Sequence, residues 1–387
     1  MEYIKLKDLC EKEERFVAPN DDAHIDYVDI SSVDNKSKSL TKYDTYIFAK
    51  APSRARKRVK HGDVIVSTVR PNLNAVARFN IQTPHTPLVS TGFCVLRSKS
   101  DVEPSYIYFF CTSPNFVRQM VSKATGASYP AVSDTIVRDA KLPKHTAEQR
   151  ARIVTSLSKT KKIIECRRAQ LAKLDELVKC RFVEMFGDPV TNPKKWNVCK
   201  LINACTKLTD GTHSSPENLP EGDFKYVTAK NIKRHGFDFS EITYINEKVH
   251  QGIYSRCNPE YGDVLYIKDG VTTGIAMVNT LHEEFSLLSS VALLKPCKQK
   301  LDSHFLSELL NNDEMYTYMR KGMGGAAITR LTLKKIGDIQ IPLPDLTLQN
   351  SFSSFVHRID KLRFVIYKIM GLGGRELFLS TGLVRKW

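Results

Sequence analysis

The chain repeats itself once, at a spacing near 200 residues. Lys5-Leu6-Lys7-Asp8-Leu9-Cys10 is answered by Lys200-Leu201-Ile202-Asn203-Ala204-Cys205, and Tyr27-Val28 by Tyr226-Val227. His61-Gly62-Asp63-Val64-Ile65 returns as Tyr261-Gly262-Asp263-Val264-Leu265, and Asp139-Ala140-Lys141-Leu142-Pro143 as Asp338-Ile339-Gln340-Ile341-Pro342. Gln149 and Gln349 then open similar segments. Short matches in one order, offset by 195 to 200 positions, mark an internal duplication. A duplicated chain of 387 residues is long enough to bury two related cores. Its 42% hydrophobic and 26% charged residues exclude a disordered chain.

Each half runs through the same elements. Strand-like segments rich in Val, Ile and Tyr fall at Ile25–Ile30, Asp63–Val69 and Phe93–Arg97, with counterparts at Phe224–Thr228, Asp263–Lys268 and Val291–Leu294. One helical stretch follows in each half, Pro104–Ser122 and Ser303–Arg320. A glycine-containing loop comes next, Thr125-Gly126-Ala127 or Gly322-Met323-Gly324-Gly325, then a short strand ending at proline. Strands and helices mixed without strict alternation predict an α+β fold.

From Ala147 to Phe186 there is neither Pro nor Gly, and a heptad seam of Ile153, Leu157, Ile164, Leu171, Leu174, Val178 and Met185 predicts a helix of about 60 Å. Thr160, Arg167 and Arg181 interrupt the seam, and Gly187-Asp188-Pro189 stops it. Phe352, Phe355, Val356, Ile359, Leu362, Val365, Ile366 and Ile369 recur at steps of three and four, supplying a second helix. The expected seam of that partner is Phe355, Ile359, Leu362 and Ile366. Two such helices joined by a globule would pack antiparallel; each could instead be the last helix of its own domain.

The nine cysteines are odd in number, scattered and without a Cys-x-x-Cys pair, which argues against a disulfide framework or a zinc ribbon. Lys and Arg outnumber Asp and Glu by 58 to 42, a net charge of +16 that favours a polyanionic partner. No apolar run approaches the roughly 18 residues of a membrane helix, and the N-terminus lacks a signal-peptide pattern, so a cytoplasmic protein without membrane contact is expected. Phosphate loops, dinucleotide loops, zinc-protease and serine-hydrolase motifs are missing, and the histidines are not at metal-ligand spacing. No catalytic residue, metal site or cofactor is therefore expected. Ser113-Pro114-Asn115-Phe116 faintly matches an amino-methyltransferase tetrad, but a helix N-cap with Pro at the first position explains it better.

Six of the eleven residues from Lys50 to Lys60 are basic, and Arg54, Arg56, Lys57, Arg58 and Lys60 are candidate phosphate contacts; a solvated loop would look the same. Arg70, Asn72 and Asn74 carry side chains suited to guanine and adenine edges, although turn chemistry also favours Pro-Asn here. In the second half, Thr209, Thr212 and His213 mark a polar loop before a strand, Lys230, Lys233 and Arg234 form a basic cluster, and Lys268 and Arg330 complete the candidates. Similar polar and basic loops in both halves point to a nucleic-acid-binding protein, with an RNA-binding or scaffold protein of two α+β modules as a further alternative.

At Pro143…Glu148-Gln149, Glu184-Met185-Phe186-Gly187-Asp188-Pro189, Asp210-Gly211-Thr212-His213 and Gly262-Asp263-Val264-Leu265, the sequence resembles the specificity subunit of bacterial type I restriction–modification systems, over about residues 1–370. The resemblance implies two tandem target recognition domains, separated by long helices packing as an antiparallel coiled coil. The expected divisions are 1–145 for the first recognition domain, 146–188 for the central spacer helix, 189–348 for the second domain and 349–387 for the C-terminal spacer. It implies a non-catalytic subunit that reads a split site in double-stranded DNA, one half per domain, and docks methyltransferase and restriction subunits. S-adenosylmethionine, ATP and Mg are then expected only in those partners. The family carries no fixed set of base-reading residues. A DNA-modifying enzyme, such as a degenerate adenine methyltransferase, is the alternative. One departure stands out: Gly371-Leu372-Gly373-Gly374 breaks the second helix pattern after about Met370. A truncated spacer would leave Ile153, Leu157 and Ile164 without an intramolecular partner and favour self-association.

Overall fold

The computed structural model describes residues 2–12, 14–321 and 330–369. The glycine loop 322–325 and the tail after 369 lie outside these residues. The chain divides into two compact units, Met1–Ile163 and Ile164 onward.

In the first unit, Tyr3–Lys5 pairs antiparallel with Lys141–Pro143, tying the start of the unit to the segment that precedes the long helix. Val64–Ser67 is the central strand of a three-stranded antiparallel sheet, between Phe93–Leu96 and Val76–Arg78. A four-stranded sheet runs Asp44–Ile47, His24–Val28, Thr86–Ser90, Ala55–Arg58, with the two middle strands parallel. A small hairpin joins Val33–Asp34 to Ser39–Leu40. The second unit repeats this plan. Val198–Lys200 pairs with Gln340–Pro342, Val264–Ile267 lies between Val291–Pro296 and Ala276–Val278, and Phe224–Val227 runs parallel to Phe285–Leu287. The hairpin Ile232–Lys233 with Gly236–Phe237 stands in the equivalent place. Both faces are covered: every residue of Val64–Ser67 and of Val264–Ile267 is buried.

The repeated Gly-Asp is a structural device. Gly62 and Gly262 have φ of 94° and 90°, the left-handed region that glycine tolerates. Their N–H groups donate to Phe79 O (2.7 Å) and Asn279 O (2.8 Å). Asp63 and Asp263 each accept a backbone N–H from three residues upstream at 2.8 Å, and each pairs with a cation at the end of the neighbouring strand, Arg97 or Lys295.

The helical stretches 104–122 and 303–320 are each two helices rather than one. Ser113 Oγ accepts from Phe116 N at 3.2 Å with Pro114 at the first position, and Asn312 Oδ1 accepts from Glu314 N at 3.0 Å. A capping side chain restarts the helix in both places. Phe116 is buried in the core, so the Ser-Pro-Asn-Phe tetrad is a cap.

Ala147–Phe186 is one helix of 40 residues. Thr146 and Gln149 close a capping box at its start, with reciprocal bonds of 3.2 and 2.9 Å. In the first unit, Ile153 and Val154 pack partly on the unit's own core. Ile153 thus finds apolar contact there, against the expectation that it lacks any, whereas Leu157 stays 41% exposed. In the second unit, Val178, Phe182 and Phe186 are buried against Phe352, Val356 and Ile359 of the helix Leu346–Ile369, and Leu174, Met185 and Phe355 pack at the margin. Phe352 meets Phe182 and Phe186 at 5.6 and 5.5 Å between ring centroids, while Arg363 reaches Asp175. The two helices therefore run antiparallel. Leu362 faces water, 53% exposed, because the inward position is taken by Arg363. Ile366 is buried; Ile164 and Leu171 are half-buried.

Candidate nucleic-acid interface

The basic stretch 50–60 forms the strand Ala55–Arg58 at the edge of its sheet, where the register shifts between Ala55 and Lys57 and the basic residues are half-buried. Lys57 turns inward, donates to Phe93 O at 2.8 Å and pairs with Asp134. It neutralises an internal carboxylate, which corrects its reading as a phosphate contact. Arg56 stacks over Phe48 at 5.2 Å, Arg58 is half-buried, and Lys60 is paired with Glu14 at 3.4 Å. Arg54 is exposed in the preceding turn.

The connection between Val64–Ser67 and Val76–Arg78 is a stiff loop. Arg70 and Asn74 both adopt φ of 49°, flanking a 3-10 turn at Pro71–Leu73. Arg70 N donates to Pro130 O at 2.7 Å, and its guanidinium lies over the Tyr129 ring at 4.7 Å. Asn72 is exposed. Asn74 is turned to the protein, its Nδ2 3.4 Å from Thr112 O, so it belongs to the turn and not to the candidate base readers. Lys38 Nζ donates to Asn74 O at 2.6 Å and reaches Leu73 O at 3.5 Å. Burial lowers the Lys38 pKa, opposed by Asp34.

The corresponding loop of the second unit, 269–274, joins Val264–Ile267 to Ala276–Val278. Beneath it sits a charged cluster. Asp210, almost wholly buried, is 3.3 Å from Lys268 Nζ, 3.4 Å from Arg256 and 3.2 Å from His213. Lys268 is itself buried and also meets Asp269 at 3.4 Å, so it holds the loop from inside and does not reach a ligand. Arg330 Nε lies 3.1 Å from Asp269 and stays half-exposed. Thr209 lies within the strand Cys205–Asp210 rather than in a loop; its hydroxyl takes a 3.3 Å bond from Arg256. Thr212 Oγ1 accepts from Ser214 N at 3.1 Å, and His213 is exposed. Arg320 Nη1 donates to Thr273 O at 2.9 Å and reaches Val271 O at 3.5 Å.

Of the third cluster, Lys230 is exposed and Lys233 is exposed but pairs with Asp238 at 3.5 Å. Arg234 is drawn away, donating to Glu308 at 2.6 Å on a largely buried pair. What remains on the surface is Arg54, Lys60, Arg70 and Asn72 in the first unit, and Thr212, His213, Lys230, Lys233 and Arg330 in the second. Tyr129, Arg256 and Arg320 were not legible as partners of these loops. Each lies far from its loop in sequence, and only the fold brings them together.

None of the nine cysteines forms a disulfide. Burial pushes the Cys10 thiol up to about 11 and those of Cys205 and Cys257 up to about 12. Among the described residues no helix is long and apolar enough to cross a membrane.

Residues 193–367 match the family described as the type I restriction modification DNA specificity domain. Over 374 residues the chain is 21% identical to the type I restriction enzyme MjaIX specificity subunit of Methanocaldococcus jannaschii, the match covering 91% of this chain and 81% of that protein. A chain solved in work on complex assembly and conformational transition of the type I R–M system shares the fold with a TM-score of 0.54 at 23% identity, over 98% of this chain and 97% of the other. The S subunit from M. genitalium shares it with a TM-score of 0.55 at 14% identity, over 98% and 95%.

Proposed function

We propose that the chain is a specificity subunit of a type I restriction–modification system and that it reads a bipartite site in double-stranded DNA, one half-site per unit. One observation carries this. The family match covers the second unit only, yet the first unit shares its central antiparallel strands, its parallel strand pair and its left-handed Gly-Asp turn, and likewise has a held loop after its central strand. Two copies of one specificity fold on one chain call for two half-sites. Ala147–Phe186 contributes to both units without a Pro or Gly break, so it is the element suited to fix the gap between them.

In this reading the chain performs no chemistry, needs no cofactor of its own and acts in the cytoplasm with methyltransferase and restriction subunits, which supply S-adenosylmethionine, ATP and Mg chemistry. The exposed Leu157 and Ile163 along the long helix are surfaces for those partners or for a second copy. The test is binding of the assembled methyltransferase complex to its duplex site with the gap lengthened by one base pair. That change shifts the halves by about 3.4 Å and turns them by about 35°, so affinity should fall at least ten-fold. Equal binding at both spacings contradicts the proposal.

A further inference from the structure

Both units carry a large aliphatic side chain at the tip of the loop after the central strand, and both tips are pinned from behind by a basic residue. We propose that Leu73 and Val271 are specificity-determining residues that touch DNA base edges through the 5-methyl group of thymine. This rests on the bipartite reading above.

Val271 is 92% exposed, between Gly270 and Gly274 with φ of 95° and 107°. An apolar side chain so exposed would be unremarkable on a mobile loop, but this loop is held. Thr273 Oγ1 donates to Gly270 O at 2.7 Å, and Gly274 N to Ile267 O at 2.8 Å. Gly274 packs so tightly on the Tyr316 ring that a Cβ there would lie 2.6 Å from it. Arg320, whose guanidinium lies 5.2 Å from the Tyr316 ring centroid, reaches the carbonyls of Val271 and Thr273 at 3.5 and 2.9 Å.

Leu73, 47% exposed, sits in the equivalent loop of the first unit. There Lys38, from the hairpin 33–40, reaches the carbonyls of Leu73 and Asn74 at 3.5 and 2.6 Å. A different residue on a different element thus does in the first unit what Arg320 does in the second. Holding an apolar tip rigid in water costs hydration and gains nothing in the free protein. Basic residues lie near both tips: Arg70 precedes Leu73, while Arg320 donates to the 269–274 loop and Arg330 pairs with its Asp269. A tip of this kind suits a polyanion that offers apolar groups at its base edges, and in a duplex major groove the thymine methyl is the apolar group on offer.

The test uses the assembled methyltransferase complex and two duplexes carrying its site, one natural and one with every thymine of both half-sites replaced by uracil, which lacks only the methyl. Uracil should weaken wild-type binding by about five-fold or more. Val271→Ala should bind the natural duplex more weakly and lose sensitivity to uracil in one half-site; Leu73→Ala should do the same for the other. Equal wild-type binding to both duplexes overturns the proposal, as does an unchanged affinity or an unchanged uracil response in both variants. Failure of the wild-type complex to require two half-sites at one spacing would instead sink the bipartite reading.

Discussion

Arg363 Nη2 donates to Asp175 Oδ1 at 2.8 Å, joining the two antiparallel helices of the second unit. The guanidinium is almost wholly buried and is also held by Asp360 at 2.6 Å, while His235 reaches the same Asp175 oxygen at 3.2 Å. Burial by itself would raise the Asp175 carboxyl, but His235 and Arg363 outweigh it and hold its pKa below the ordinary value. A carboxyl lowered in the fold stabilises it above the unfolded value near ~3.9 and loses that contribution as pH falls through the folded value. Arg363→Met should therefore lower stability at pH 7 by about 1–2 kcal/mol, less than for a fully buried pair because Asp175 keeps contact with water. The deficit attributable to the pair should shrink below about pH 4. Urea unfolding of both proteins at pH 7 and pH 3 checks this; equal stability at pH 7 would refute it.

His304 gives a second pH response. Burial, then the neighbouring His357 with its ring centroid 4.4 Å away, lowers its pKa, while Asp302, Asp360 and Glu308 act the other way. The folded state prefers the neutral ring, and the unfolded chain takes up the proton first. Stability from this group is intact above roughly pH 6.5 and declines as pH falls below it, by at most about 1.4 kcal/mol per pH unit. His304→Gln should flatten that part of the profile. Thermal melting at pH 7.5 and 5.5 decides it, and identical slopes for both proteins would count against the assignment.

The charges divide into two classes with different phenotypes. Arg70→Ala and Arg330→Ala should weaken DNA binding and, if each meets a phosphate, reduce the slope of log affinity against log salt by about 0.9 each. Lys57→Ala and Lys268→Ala leave Asp134 and Asp210 with fewer partners, so they should lower stability by about 1–3 kcal/mol while leaving the slope of the folded protein unchanged. Filter binding between 50 and 200 mM salt, alongside unfolding curves, separates the classes.

The duplication and the long helix were legible in the sequence because each leaves a periodic or repeated trace that burial does not scramble. Gly62 and Gly262 marked the same turn because few other residues tolerate their φ. Gln149 and Gln349 look equivalent in sequence yet differ: one closes an exposed capping box, and the other is buried, donating to Pro344 O at 2.8 Å and Lys300 O at 3.0 Å. Candidate DNA contacts were least legible. Lys57, Lys268 and Arg234 look like surface cations until their acids are located 77, 58 and 74 positions away. Leu362 failed as a seam residue because a three-and-four step admits either neighbour, and the choice went to Arg363 through its ion pair with Asp175. Leu73 and Val271 gave no signal, since an exposed aliphatic residue resembles a core residue in sequence.

The most direct measurement is the genome-wide map of methylated adenines in cells carrying this chain with its methyltransferase partner, compared with cells lacking the chain. The account predicts a single motif, lost with the chain, made of two short defined halves at one fixed undefined gap. A continuous motif, or methylation unchanged when the chain is removed, would contradict it.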